Sequence, residues 1–511
     1  MQEYNNNMTA RPHRERGSAA ALTASVIAVI LVVNVILYIL AITLGLYIVP
    51  KDGYKIELSG ATDSLFADAI AEKRKVKITF CYPEADVKNH ETGAPVYKTA
   101  TDLKERYPDF IELDFVNIIT KRNDKGELVS LSKYQTDMRG NETNIRKSSV
   151  IFECGRNYMV ITDNYSTSGF SNFYTTDAEG YTTSYNGEEI MAAMISWVLH
   201  DEHKTAYLTM AHSEQADSAF ANLLSAAGYY LDVINLRDTE ILPSDENIGL
   251  VVISNPQSDF EKAAEGSGVR TEIEWLKSYV NDNGGSLYVS LDPYVRRLPV
   301  LEGFLAEYGL EFSVTESDGT SLRNIVKDPE NAITTDGFTL VASHAEGEVS
   351  DAIAKKVAEY DDGRVILREA SALKLSGSAQ PLLVSSSTSV CETGGRVTAT
   401  GGGFTVAAYS EGAPNFEGER GKIMLIPSIY ATVSDALVTN GYSNKEFVFA
   451  AFEELYGAKG IPYGCEPVLY ESTTLENLTM GTARIYTALI LAVPAALAVT
   501  CGVITVRRKN R

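Results

Sequence analysis

The sequence contains few of the residues that build disulfide frameworks or zinc sites. Only five cysteines occur in 511 residues, and their wide spacing forms no CxxC or CxxH cluster. Because structural zinc sites use closely spaced ligands, the sequence predicts no metal. One cysteine, Cys501, lies in the last apolar run, and four precede it: Cys81, Cys154, Cys391 and Cys465. In an exported domain these four form either two disulfides, with three possible connectivities, or buried free thiols.

Nucleotide-binding and hydrolase motifs are also missing. No GxxxxGK[ST] loop, GxSxG elbow, HExxH pair or GxGxxG turn occurs, and EGERGK, ending at Lys422, has the wrong spacing for a phosphate loop. The glycine-rich TATGGGF at 398–404 precedes a predicted strand, which fits a flexible turn. The sequence therefore predicts no ATP hydrolysis through a phosphate loop and no cofactor.

Positive charge is scarce outside two terminal tails. The net charge is −22. Segment 1–18 contributes +1 and segment 507–511 contributes +4, so the part from 50 to 506 carries −27. Binding to nucleic acid needs clustered Lys and Arg, so nucleic acid is excluded as a partner. The excess negative charge also keeps the domain soluble.

Charged residues are absent from two apolar segments, 19–49 and 485–506. A membrane helix needs about 20 such residues, so both segments are predicted to span a bilayer. Basic residues flank the outer end of each segment and mark the cytoplasmic side. A cleaved signal peptide is the alternative for the first segment, but its apolar core exceeds the usual ~7–15 residues. We expect a two-pass protein of the bacterial plasma membrane, with both tails cytoplasmic and the main domain extracytoplasmic.

The region between the two segments predicts an α/β fold in several parts. A small α/β unit comes first, a Tyr-, Ser- and Gly-rich junction follows, and a doubly wound, mostly parallel sheet comes next. A β-rich elaboration then interrupts the sheet before a late strand and helix complete it. The predicted boundaries are 50–163 for the first unit, 164–186 for the junction, 187–312 for the doubly wound domain, 313–420 for the elaboration, 421–460 for the completion and 461–484 for a connector.

The doubly wound prediction comes from the order of elements after residue 187. GEEIMAAMISWVLHD has apolar residues at helical spacing, whereas LVVIS and LYVSL are continuously apolar, as parallel strands buried on both faces are. The remaining predicted elements are a strand at 205–210, a helix at 215–227, strands at 231–236 and 249–253, a helix at 271–282 and a strand at 286–291.

Polar residues follow two of these strands. His212, Ser213 and Glu214 come after the strand at 205–210, and Asp292 ends the strand at 286–291. Ligands of doubly wound folds bind beyond the carboxyl ends of strands, so these four residues are the candidate ligand pocket. The alternative is structural: Ser213 caps the next helix, Glu214 complements its dipole and His212 stays half-exposed.

Several motifs of the chain resemble one membrane-protein family. The motifs are GEEIMAAMI, AYLTMAHSE, AGYYLDVINL, EWLKSYVNDNGGSLYVSLDP and, later, SNKEFVFAAFEELYG. Together with the terminal apolar segments they resemble the GldG-like auxiliary subunits of bacterial ABC-2-type exporters. The family's G-H-G-E turn is Ala211-His212-Ser213-Glu214 here, and the larger side chains narrow any space for a ligand. The α/β part also resembles amidotransferase-like folds, without a cysteine nucleophile near His212.

The resemblance implies a noncatalytic auxiliary subunit that contacts a separate permease and a separate ATPase. Substrate or envelope contacts would then belong to the outer domain. An envelope-anchored module that binds glycan or peptide without a transporter is the alternative. A membrane-anchored hydrolase using His212 and Glu214 is a third interpretation.

Overall fold

The computed structural model describes residues 56–162, 170–176, 180–261, 271–317, 319–360, 363–437 and 442–470. Both predicted membrane segments, 19–49 and 485–506, lie outside these ranges. Within the ranges, no helix combines the length and apolar character that crossing a bilayer requires. All of the described residues belong to one unit that begins at Ile56.

The first part of the described chain is a five-stranded mixed sheet with helices against it. Alternation in VKITF buries Val76, Ile78 and Phe80 completely, which makes this segment a central strand. The elements are α1 (Ala61–Ala71), β1 (Val76–Phe80), α2 (Glu84–Asn89), α3 (Gly93–Arg106), β2 (Ile111–Asn117), β3 (Arg122–Asn123), β4 (Val150–Cys154) and β5 (Asn157–Ile161). The strand order is β3-β2-β1-β4-β5, with β1 parallel to β2 and antiparallel to β4.

A short sheet and a long helix connect this part to the next. The elements are β6 (Tyr174–Thr176), β7 (Thr182–Tyr185) and α4 (Gly187–Leu199). Tyr185 is 2% exposed, and a side chain at Gly187 would overlap its ring, so glycine permits the tight start of the helix. The helix buries one apolar face in the core of the first sheet through Met191, Ile195 and Val198.

The second part is built on an eleven-stranded sheet. Its first elements are β8 (Thr205–Thr209), α5 (Ser218–Ala226), β9 (Tyr230–Ile234), β10 (Ile248–Ser254), α6 (Glu272–Lys277), β11 (Ser286–Ser290), α7 (Pro299–Glu307) and β12 (Leu310–Phe312). Helix α6 continues into a π-helical turn at Ser278–Asp282. Side chains of β10 alternate between two cores, with Leu250 and Val252 in one and Val251 and Ile253 in the other. The sheet is therefore covered on both faces.

Some of the later elements extend and complete this sheet. The later elements are β13 (Val314–Ser317), β14 (Thr320–Arg323), β15 (Ile325–Lys327), β16 (Thr339–His344), α8 (Glu348–Val357), β17 (Val365–Arg368), β18 (Leu373–Leu375), β19 (Gln380–Val384), β20 (Val390–Thr393), β21 (Arg396–Thr400), β22 (Thr405–Pro414), β23 (Arg420–Ile426), α9 (Ser434–Leu437), α10 (Asn444–Tyr456) and β24 (Val468–Leu469). Among them, β16 to β19, β22 and β23 extend and complete the sheet, whereas β13 and β14 form a separate hairpin and β15, β20 and β21 a separate three-stranded sheet. The region predicted as β-rich therefore also contains helix α8. Strand β24 pairs with β7 near the start of α4.

The order of the parallel strands is β9-β8-β10-β11-β23. Numbered along the chain this is 2-1-3-4-5, an order found in doubly wound folds. Strand β23 lies parallel beside β11. Beyond β23 the sheet continues with β22 and then β19, and β22 is antiparallel to both β23 and β19. The fold is thus mixed α/β, with an antiparallel extension on one side of a parallel sheet.

The four cysteines of the described chain are buried free thiols: Cys81, Cys154, Cys391 and Cys465. Of the two predicted alternatives, the free thiols are the correct one. Burial raises the pKa of Cys81 to about 12 and that of Cys391 to about 11. Such thiols are chemically inert at neutral pH.

Candidate functional site

The candidate site lies where the order of the parallel strands reverses. Strands β8 and β10 are neighbours there, and their connections leave toward opposite sides, which opens a crevice beyond their carboxyl ends. The loop after β8 carries His212, Ser213 and Glu214, and the loop after β10 carries Asn255. The structure therefore places three of the four predicted residues at this reversal point.

His212 is enclosed rather than half-exposed. Only 1% of it is exposed, and its ring stacks on Phe260 with centroids 4.2 Å apart and planes 7° from parallel. Its Nδ1 lies 3.3 Å from a carboxylate oxygen of Glu214, and its Nε2 lies 3.3 Å from one of Glu272. The ring is thus held between an aromatic face and two carboxylates, and we call His212, Glu214 and Glu272 the histidine clasp.

The clasp keeps His212 protonated. Burial lowers the pKa of His212, but the hydrogen bonds to Glu214 and Glu272 and their charges outweigh burial and raise it to about 9. For both carboxyl groups burial favours a higher pKa, yet pairing with His212 holds each pKa below its ordinary value. Both ring nitrogens of His212 therefore donate at neutral pH, and neither is free to accept a proton as a general base requires.

Arg237 joins the clasp from the loop after β9. Its Nε lies 3.3 Å from Glu272 Oε1, and its Nη2 lies 3.4 Å from His212 Nε2. Glu272 also accepts a hydrogen bond from the Glu261 amide at 2.9 Å. Two cations and a backbone amide thus share one buried carboxylate, which is the arrangement that makes a buried charge tolerable.

The backbone at the reversal point occupies the left-handed region of φ. The angles are +104° at Ala211, +55° at Ser213 and +49° at Asn255. This region favours glycine because a Cβ crowds the following carbonyl. Ala211 and Ser213, which stand where the similar G-H-G-E turn has glycine, therefore adopt a positive φ at a conformational cost.

Hydrogen bonds between the two loops close the crevice. The Gln257 amide donates to the His212 carbonyl at 2.8 Å, and the Gln215 amide donates to the Ser254 carbonyl at 2.9 Å. The Ser254 hydroxyl returns a bond to the Gln215 carbonyl at 2.8 Å. Backbone groups that a ligand of this crevice would contact are thus already paired within the protein.

The predicted helix cap was wrong. Helix α5 begins at Ser218, three residues later than expected, and its cap is Asp217, whose carboxylate accepts from the Ala219 amide at 2.8 Å. Ser213 lies exposed in the preceding loop instead. Glu214 does not complement the helix dipole, because its carboxylate binds the His212 ring and amide.

Asp292 lies on the same edge of the sheet but outside the clasp. Its amide donates to Asn255 Oδ1 at 3.1 Å, and its own carboxylate accepts from the Tyr294 amide at 2.8 Å. Among the described residues, only the hydrogen bond to Asn255 connects Asp292 to the reversal point. The four predicted residues share one edge, but their side chains do not converge on a common ligand position.

Sequence reasoning missed Glu272, Phe260 and Arg237. Arg237 follows β9, so the rule that placed His212 at the carboxyl edge also indicates Arg237. Glu272 starts a helix after β10, where an acidic residue is common and gives no sign of a buried partner. In the described part of the chain, no three His, Cys, Asp or Glu side chains form a group that fits a metal ion.

A second cluster of charges lies at the start of α4. Glu188 accepts hydrogen bonds from the amide and hydroxyl of Ser59, each at 2.9 Å. Glu189 pairs with buried Lys445 at 2.8 Å, and Lys445 also donates to the Cys465 carbonyl. Burial lowers the pKa of Lys445, but Glu189 and other nearby charges outweigh it and keep the pKa above its ordinary value. The chain around residue 59 and around residue 465 therefore meets at the first turn of one helix.

Comparisons with known proteins add little. No protein-family model matches the chain, and no curated protein matches it. Solved structures that align with it include the mmIFT52 N-terminal domain, at 14% identity over 49% of this chain and 97% of that domain with a TM-score of 0.36. A second is the cytoplasmic protein STM3548 from Salmonella typhimurium, at 13% identity over 49% of this chain and 98% of that one, with a TM-score of 0.31. A third is PurLQS from Thermotoga maritima, at 11% identity over 50% of this chain and 100% of that one, with a TM-score of 0.28. Alignments this distant carry no functional argument.

Proposed function

We propose that the chain is a noncatalytic, membrane-anchored auxiliary subunit of an ABC exporter, similar to the GldG-like subunits, with a separate permease and a separate ATPase as partners. The apolar segments 19–49 and 485–506 would anchor it in a bacterial plasma membrane, with both tails cytoplasmic and its amidotransferase-like main domain outside. This main domain would make the substrate or envelope contacts of the complex.

The meeting of residues 59 and 465 at helix α4 is the observation that carries the proposal. A domain whose first and last described residues lie close together can be attached through two neighbouring membrane helices without stretching its connectors. Glu188 and Glu189 are adjacent in sequence. Glu188 binds Ser59 near the start of the described chain, and Glu189 pairs with Lys445, which donates to the Cys465 carbonyl near its end. This proximity of the two ends supports attachment through two packed membrane helices.

The histidine clasp supports the noncatalytic part of the proposal. A hydrolase that used His212 as its base would need a neutral imidazole near pH 7. Here two buried carboxylates hold the imidazolium, and Phe260 covers one face of the ring. The clasp accordingly stabilises the loops around the reversal point. His212→Ala should therefore leave any activity of the protein unchanged.

The alternative function is an envelope-anchored module that binds glycan or peptide without a transporter. Co-purification separates the two. The full chain, isolated from its native membrane in mild detergent, should bring a polytopic permease and a Walker-motif ATPase in fixed ratio. A matched variant, with segment 19–49 replaced by an unrelated apolar helix of equal length and flanks, should stay in the membrane but lose both partners. Recovery of the wild-type chain alone would favour the module.

A further inference from the structure

A cleft of about 990 Å³ lies at the amino edge of the main sheet, opposite the histidine clasp. Residues next to the starts of β10 and β11 form its floor, and the hairpin between β22 and β23 forms one wall. Helix α10 and the π-helical turn both end at this cleft, at Tyr456 and Asp282. Helix carboxyl ends carry partial negative charge, so the backbone itself makes this edge attractive to cations.

The charged side chains of the cleft increase this negative potential. Its cations are already engaged by backbone carbonyls: Lys204 donates to Glu246, Arg420 to Gly412 and Lys422 to Glu454. Among the described residues, five lining carboxylates have no ion pair, namely Asp245, Glu246, Asp282, Glu417 and Glu419, whereas Glu453 and Glu454 are paired with lysines. The cleft thus offers carboxylates whose charges no side chain of the described protein neutralises.

Aromatic groups accompany these carboxylates. Phe416 is fully exposed at the tip of the hairpin, between Asn415 and Glu417. The turn is well held, since Asn415 Oδ1 accepts from the Glu417 and Glu419 amides at 2.9 Å each. A large apolar ring on a firmly held turn is typical of a contact residue.

A buried polar group in the wall of the cleft also lacks a partner. Tyr279 is only 3% exposed, and in the described part of the chain its hydroxyl makes no hydrogen bond. Buried hydroxyls are normally paired, so the wall of the cleft contains a polar group that the described protein leaves unsatisfied. This observation is independent of the carboxylates and of Phe416.

We propose that the cleft binds a basic, arginine-containing polypeptide segment. A guanidinium group can stack on the exposed face of Phe416 while it pairs with Glu417 or Glu419, because arginine combines a planar face with a fork of donors. The size of the cleft suits an extended segment of several residues. The site does not depend on membrane attachment, so its test is independent of the exporter proposal.

The test uses a fluorescent, end-blocked tetra-arginine peptide and the full chain in nonionic detergent, with anisotropy as the readout. We expect saturable binding that weakens several-fold as salt rises, because exposed charge pairs are screened. An end-blocked tetra-glutamate peptide should not bind. Replacing both Glu417 and Glu419 by Gln should weaken binding about five- to tenfold. Phe416→Leu, which keeps apolar area but removes the ring, should weaken it about threefold.

The matched control replaces two exposed carboxylates at the ends of helices α1 and α3, Glu72→Gln and Glu105→Gln, which changes the net charge equally. Its affinity for tetra-arginine should stay within twofold of wild type. Three results would overturn the proposal: no saturable binding to the wild-type chain, equal binding by the Glu417 and Glu419 variant, or an equal loss in the control. The substituted positions lie on the surface, and unchanged emission of the two buried tryptophans, Trp197 and Trp275, would verify that each variant is folded.

Discussion

The stability of the protein should fall as the histidine clasp loses its proton at alkaline pH. Folding raises the pKa of His212 from an ordinary value of 6.5 to about 9. A raised pKa means that the folded state binds the proton more tightly than the unfolded state does. The stabilisation is therefore complete below the unfolded pKa, near pH 6.5, and disappears as pH rises through 9.

The magnitude follows from the two pKa values. At pH 7 the proton on His212 contributes about 2.5 kcal/mol to the free energy of unfolding, and at pH 9.5 it contributes almost nothing. His212 is 1% exposed, so solvent screening reduces this value little. Glu214 and Glu272 have lowered pKa values, so their contribution is also stabilising but has the opposite pH dependence: it is present above their ordinary pKa and is lost in acid.

The assay is urea denaturation of the wild-type chain and of His212→Gln between pH 7 and 9.5. Trp275 reports on the site, because it lies three residues after Glu272 and its indole donates to the Ile241 carbonyl at 3.0 Å. The difference in unfolding free energy between the two proteins cancels other titrating groups. It should shrink by about 2 kcal/mol over this range. A difference that stays constant or grows would refute the imidazolium clasp.

Other substitutions test the backbone and the buried charges. Ala211→Gly should stabilise the protein by about 1 kcal/mol in the same assay, because it relieves a positive φ, whereas Ala216→Gly in the same loop should not stabilise it. Asp217→Ala should cost about 1 kcal/mol by removing the cap of α5, whereas Ser213→Ala should be nearly neutral. Lys445→Met should cost about 3–5 kcal/mol, because it leaves a paired carboxylate of α4 without its cation; a loss below 1 kcal/mol would show that the pair is dispensable.

Strong local patterns made much of the second sheet predictable. LVVIS and LYVSL are continuously apolar and became β10 and β11, both buried on two faces. The helix predicted at 271–282 appears as α6 with its π-helical turn. In these segments burial and local propensity favour the same structure, so the sequence alone is informative.

The sequence pattern was less informative where tertiary contacts determine the secondary structure and the strand pairing. The region 313–420 contains many Gly, Ser and Thr, which hid helix α8 and the pairing of β19 with β22. No local signal shows that a strand from this region will extend a sheet begun at β8. Pairing between distant strands depends on the whole chain rather than on a local window.

At the candidate site, the position of His212 could be predicted from the sequence but its distant partners could not. The rule for doubly wound folds placed His212 at the reversal point, because it depends only on strand order. One partner of His212, Glu214, is local, but Glu272 is 60 residues away in the chain, and Arg237, which pairs with Glu272, is 25 residues from His212. Whether a histidine is a base or a locked imidazolium depends on such partners, so its chemical role required the structure.

The mass of the intact particle, measured by native mass spectrometry from the native membrane in mild detergent, tests the central proposal most directly. An auxiliary subunit predicts a particle that contains this 55.7 kDa chain together with a permease and an ATPase, and that dissociates into all three in the gas phase. A particle that contains only copies of this chain would contradict it.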